Sequence, residues 1–314
     1  MLAVHADWSV DARKRWQVVA RRIGAGWLVA EPEPVGDLST WTARLLARAA
    51  GPVALGVDLP LGLPRGYVRA HVGAADFSTF LRGLAASPGF FEVCARLDEV
   101  APGRPFYPRL GCRGMTRAAH AAALGLAGPA GLSRLCDRAT PARPAGAPLF
   151  WTLGANQTGK AAIAAWRDWL VPDLLGGADI ALWPFDGDFR ALLAQHAVVV
   201  AETYPAEVMR HLGLRLRGSK RRQEDRAALA PALHAAMARL DAAPAPGLAA
   251  AVIAGFGADT AGEDRFDATI GVLGVINVIA GNRPDATPDD PWLRRWEGWV
   301  LGQTDLPARK SMDA

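Results

Sequence analysis

The chain has 314 residues, of which 51% are hydrophobic and 21% charged, with a formal net charge of +4 and a sequence pI of about 9.2. That length can bury one large core, alone or with a sizeable insertion, and the composition is that of a globular chain, not a disordered or fibrous one. Cys94, Cys112 and Cys136 are an odd, widely spaced set without a C-x-x-C pair, which argues against a disulfide framework and a structural zinc site. The opening run MLAVHADWSVDARKRW is broken by His5 and Asp7, too early for a signal peptide or a membrane span. The expectation is a cytoplasmic protein without membrane association.

In chain order, Leu2–Trp8 is a short apolar run suited to a buried strand, with Asp7 near its end. Trp16–Arg22 and Gly26–Glu31 are two more strand candidates around the turn signal Gly24-Ala25-Gly26. Asp37 suits a helix N-cap, and Leu38, Trp41, Leu45 and Ala49 follow at helical spacing until Gly51-Pro52. Val53–Asp58 is an apolar strand broken by Pro60 and Pro64. The predicted order over residues 1–64 is β-β-β-α-β.

Residues 65–150 are irregular and rich in Gly, Pro and Arg, with Met115–Leu126 as a helical stretch. A structureless loop of that length inside a compact fold is improbable, so a helical insertion packed on the core is expected. Regular patterning resumes over residues 151–306. Lys160–Leu170 and Phe189–Gln195 are predicted helices, and Ile180–Trp183 and Ala197–Glu202 are predicted strands. Ala206–Leu212 and Gln223–Leu240 are further helices. A capping box, Thr260-Ala261-Gly262-Glu263, opens a long apolar helix that runs to Ile279. Trp292, Trp296 and Trp299 recur at about helical spacing, as in a docked helix, and residues 307–314 suit a disordered tail.

Four acids stand out by position. Asp7, Asp58 and Glu202 end apolar strands, and Asp267 lies in the first turns of the apolar helix. A carboxylate in such a setting loses hydration and must be paired, hydrogen-bonded or metal-bound. Any one of them could cap a turn or meet an arginine, but together they suit Mg²⁺ or Mn²⁺. Asp264 shares a helix face with Asp267, Gly271 and Gly274, and reads more simply as a charge at a helix N-terminus. The small residues would let that helix approach a sheet. Basic residues cluster in two stretches: eight Arg against three acids between Arg96 and Gly146, and six bases against two acids between Arg215 and Arg226. An anionic partner such as nucleic acid would suit them, as would a plain solvated surface.

The element order and the segments HADWS, GVDLPLGLP, AETYPAEV and DRFDATIGVL resemble a family of uncharacterised proteins, domain of unknown function family 429, described as predicted RNase H-like nucleases. The likeness touches both ends of the chain and leaves residues 65–150 unmatched. It implies an α/β fold with a ribonuclease-H-like mixed sheet and a large helical insertion. It also implies Asp7, Asp58, Glu202 and Asp267 as ligands of Mg²⁺ or Mn²⁺ in a nuclease or phosphodiesterase, with Lys220 near a substrate phosphate.

Two other readings remain open. One is a non-catalytic relative that binds nucleic acid or a small ligand. The other is a nucleotide-binding protein using Gly154-Ala-Asn-Gln-Thr-Gly159-Lys160-Ala161, which nearly matches the phosphate loop G-x-x-x-x-G-K-[ST]; within the nuclease reading Lys160 of the same loop is expected to meet substrate phosphate. Ala161 lacks the hydroxyl that motif places on Mg²⁺. The six histidines show no metal-ligand spacing, although His5 shares the strand face of Asp7.

Overall fold

The structure is a computed structural model that describes residues 1–109, 115–153 and 158–307. Cys112, the first part of the 154–160 loop and the tail from 308 onward lie outside the described residues. One mixed sheet organises the chain. Its strands are β1 (Leu2–Asp7), β2 (Trp16–Ile23), β3 (Gly26–Val29), β4 (Glu33–Pro34), β5 (Val53–Val57), β6 (Ile180–Leu182), β7 (Val198–Glu202) and β8 (Ala242–Pro244). Their spatial order is β6-β7-β5-β1-β2-β3-β8, with β4 against the start of β2. β1, β2 and β3 form an antiparallel meander, whereas β5, β7 and β6 continue from β1 in parallel. The α/β expectation is met. Two strands lacked a sequence signal: β4 has two residues, and β8 has three and ends in Pro244.

Helices α1 (Trp41–Arg48), α2 (Arg65–His71), α3 (Phe77–Gly83) and α4 (Arg117–Ala123) precede α5 (Thr158–Ala165) and α6 (Val171–Leu175). A π-turn at Trp166–Leu170 joins the last two. Then come α7 (Phe189–Gln195), α8 (Pro205–His211), α9 (Gln223–Ala227), α10 (Ala230–Arg239), α11 (Pro246–Ile253) and α12 (Gly262–Ile279). Strand parity sorts the core into two layers. Leu2, Val4, Ala6, Val53, Leu55, Val57, Val198 and Val200 point to one face, where Trp41, Trp166 and Trp169 pack. Ala3, Ala54, Val199 and Ala201 point to the other, which α12 covers. The insertion joins the first layer through Phe77, Phe90, Phe106 and Phe150, which stack edge-on or tilted on one another and on neighbouring rings.

α12 is buried on almost every side, which suits a helix that is apolar all round. Two of its glycines are contact points. A Cβ on Gly271 would fall 2.2 Å from the His5 ring, and one on Gly274 would fall 2.3 Å from Val208. The first contact brings the helix onto β1, as the small-residue face predicts, while the second seats it on α8. The expected capping box does not form. α12 begins at Gly262 with Ala261 as its cap, and Asp259 accepts the Ala261 N–H at 2.9 Å and binds Arg265 instead. The predicted helix over Gln223–Leu240 is two helices, because Leu229 leaves the first and Pro231 opens the second in its first turn. Trp296 lies within one five-residue π-turn, Leu293–Glu297, with Trp292 before it and Trp299 after it, and Trp296 and Trp299 are buried. No helix among the described residues is long and apolar enough to cross a membrane.

Candidate active site

β1, β5 and β7 are neighbouring parallel strands, so their C-terminal ends lie at one edge of the sheet. Asp7 closes β1 and Asp58 follows β5, with the Asp58 N–H donating to Ala6 O at 3.1 Å. Both acids fall on the face that α12 covers. Asp267 lies one turn before Gly271, whose contact with His5 holds that turn of α12 over the same strand ends. The three aspartates therefore come from two strand ends and one helix, and they line one cleft of about 630 Å³.

Glu202 is not part of this group. It pairs in register with Val57, so the period of two turns its side chain to the opposite face from Asp58. There Arg134 donates to both of its oxygens, Nη1 to Oε2 at 2.6 Å and Nη2 to Oε1 at 2.8 Å. The Leu61 N–H adds a third bond at 2.8 Å. Arg134 also binds both oxygens of Asp137, and neither Arg134 nor Glu202 is exposed at all. Cys136, Asp137 and Glu202 do offer ligand atoms within 4.8 Å of one another, but the Arg134 guanidinium already supplies their cation. The expectation that Glu202 shares a metal with Asp7 thus meets a buried arginine pair. Arg134 stands in the unmatched insertion, where no sequence signal marked it.

The electrostatics of the cleft follow from burial and like charge. Burial raises the Asp7 carboxyl well above its ordinary value, and the charges of Asp267, Asp58 and Asp264 add to the rise. Burial, then Asp267, lifts Asp58 to about 7. Burial lifts Asp264 to about 6, and its Oδ2 is buried without a hydrogen-bond partner, so it is more than a solvated helix-end charge. Asp267 is also raised by burial, but Lys220 opposes the rise through a short contact with Oδ2. Lys220 Nζ lies 3.4 Å from Glu263 as well. Burial works against its charge, yet Asp267 holds it above its usual value. No N–H or O–H among the described residues donates to the side chains of Asp7 or Asp58. His5, buried beside them, is driven down to about 3 by burial and stays neutral.

The donor set fits a hard divalent cation. Asp7 and Asp58 offer carboxylate oxygens to the cleft they line, with no competing donor among the described residues. The three aspartates do not close to within 4.8 Å of one another, a spacing wider than one tight ion cage. Lys220 partly neutralises them.

The same cleft is lined by Arg143, Arg210 and Lys14, the last of which lies close enough to Asp264 to lower its pKa. None of these was singled out in the sequence, although Glu207, which holds both arginines, sits in the AETYPAEV segment. Thr158 and Ala161 of α5 reach the cleft, whereas Lys160 is not among its lining residues. No protein-family model matches the chain, and no curated protein or solved structure matches it either.

Proposed function

We propose that the protein is a divalent-metal-dependent hydrolase of phosphodiesters, and more particularly a nuclease built on a ribonuclease-H-like core. One observation carries the reading. Asp7, Asp58 and Asp267 line one cleft, with no hydrogen-bond donor to Asp7 or Asp58 among the described residues, and Arg143, Arg210 and Lys14 line the same cleft. Carboxylates able to hold a cation, in one cleft with bases that attract phosphate, suit phosphodiester chemistry. The sheet order β3-β2-β1-β5-β7, antiparallel then parallel, is the order such a core would have.

In this reading Asp7, Asp58 and Asp267 hold Mg²⁺ or Mn²⁺, which when bound neutralises phosphate charge and acidifies a water. Asp7, with carboxylate neighbours on both strand and helix, is the central ligand. Lys220 stands beside Asp267 and is placed to meet a phosphate oxygen. Arg143, Arg210 and Lys14 orient the anionic backbone along the cleft. Glu202 has no ligand role; it fixes the insertion to the end of β7 through Arg134.

The test is cleavage of labelled single-stranded and duplex DNA and RNA, an RNA–DNA hybrid and an activated phosphodiester in Mn²⁺ and Mg²⁺. Metal-dependent cleavage that falls by at least about a hundredfold in Asp7→Asn supports the assignment. Cleavage that survives chelation, or is equal in that variant, overturns it. A second reading, a binding protein without catalysis, is favoured by the ammonium of Lys220 already seated on Asp267. Metal-independent nucleic-acid binding with no cleavage of any of these substrates would select it.

A further inference from the structure

Glu207 is the buried hub of the cleft's basic wall. Its side chain is 3% exposed, and Oε2 takes a short contact from Arg210 and lies 3.5 Å from the Nε of Arg143. His211 Nε2 lies 3.1 Å from Oε1 and 3.1 Å from a terminal nitrogen of Arg283. One carboxylate therefore serves two guanidiniums, and a net positive charge remains at the wall. Arg143 is nine-tenths buried, with a side-chain exposure of 9%, and its Nε has no hydrogen-bond partner. The rest of its guanidinium is tied to the Cys136 carbonyl, Pro144 O and Gln303, and it lies 5.9 Å over the Tyr204 ring. A guanidinium held by these neighbours in the lining of the cleft, beside the 35%-exposed Arg210 and with one carboxylate between the two charges, is an anion seat.

We propose that Arg143 and Arg210 form a phosphate subsite distinct from the carboxylate cluster, so that the substrate carries a second phosphate beside the one attacked. This rests on the phosphodiesterase reading for its substrate but not for its geometry. The insertion then has a role: Arg143 and the following residues 144–147 give the cleft its second wall, at a distance set by the Arg134–Glu202 anchor. A cleft of about 630 Å³ is large enough for a nucleotide with two phosphates.

Inorganic phosphate is the first probe, titrated calorimetrically into the metal-free protein. The expected result is saturable binding that Arg210→Met weakens about tenfold, the loss of one charge-assisted hydrogen bond. Arg143→Met is expected to do the same. Because it also removes contacts to Cys136 and Gln303, Arg143→Lys, which keeps the charge, is measured beside it. Asp7→Asn leaves phosphate binding intact or tighter, since it removes negative charge and no donor. Failure of Mn²⁺ binding with phosphate binding intact would overturn the phosphodiesterase reading alone. Absence of saturable phosphate binding, or binding indifferent to Arg210→Met, overturns the subsite. Thymidine dinucleotide with and without a 5′-phosphate, and the unphosphorylated trinucleotide, then separate the sources. Preference for the 5′-phosphate only assigns a terminal phosphate, and equal preference for the trinucleotide assigns a neighbouring backbone phosphate. Equal binding of all three overturns the proposal.

Discussion

Asp58→Asn is expected to stabilise the metal-free protein. Asp58 accepts no hydrogen bond among the described residues and sits beside Asp7 and Asp267, so its charge is a cost to the fold and its amide isostere is not. The carboxyl lies at about 7 in the fold against an ordinary 3.8. Between those values the folded state holds a proton that the unfolded chain has lost. Stability therefore falls as pH rises from 3.8 toward 7, and the full cost is present above 7. Three units correspond to about 4 kcal/mol. Asp58 is partly open to the cleft, where water screens the charge, so a gain of about 2–4 kcal/mol is the reasonable range. For a chain of this length that is about 3–6 °C in melting temperature. The assay is thermal and chemical unfolding of both proteins with chelator at pH 8 and pH 4. A gain at pH 8 that disappears at pH 4 is the expected result. Mn²⁺ should offset most of the difference, because wild type alone gains about 2.7 kcal/mol at a hundredfold excess over its dissociation constant. An Asp58→Asn protein no more stable than wild type at pH 8 without metal would refute the reasoning.

Other predictions follow from the same contacts. Arg134→Met leaves the buried carboxylates of Glu202 and Asp137 without their cation and should cost about 3–5 kcal/mol in urea unfolding, with partial recovery in the Glu202→Leu background; full stability of Arg134→Met would contradict the buried cluster. Gly271→Ala places a methyl against the His5 ring and should lower stability by about 1–3 kcal/mol by overpacking, with partial recovery in the His5→Ala background; full stability of the single variant would contradict the close approach of α12. His5, neutral in the fold and driven down to about 3, should make wild type lose stability relative to His5→Leu as pH falls below 6.5. The slope approaches about 1.4 kcal/mol per pH unit, and parallel pH profiles of the two proteins would count against it.

The parts of this site that the sequence carries are local. An acid at the end of an apolar strand is visible in VHAD and ALGVD, and β1, β5 and β7 fall within a residue of where the apolar runs place them. The glycines of α12 mark its close approach because nothing larger than hydrogen fits against His5. What could not be read is relational. Glu202 alternates correctly with Val200 and Val198, but which face that makes it share with β1 depends on the pairing of Val57 with Glu202, a contact 145 positions apart in the numbering. Its partner Arg134 looks like any other arginine of the insertion. The Gly154–Lys160 likeness to a phosphate loop had the right local spacing, yet Lys160 does not line the cleft. The missed capping box fails for a local reason of another kind: Asp259, a stronger acceptor one residue upstream, takes the first free N–H.

The central claim is that Asp7, Asp58 and Asp267 together make one divalent-metal site. Calorimetric titration of the metal-free protein with Mn²⁺, beside Asp7→Asn and Asp267→Asn, tests it without any assumption about substrate. Saturable binding in wild type, weakened at least about tenfold in each variant, is the predicted result. No binding by wild type, or binding that both variants retain in full, would contradict it.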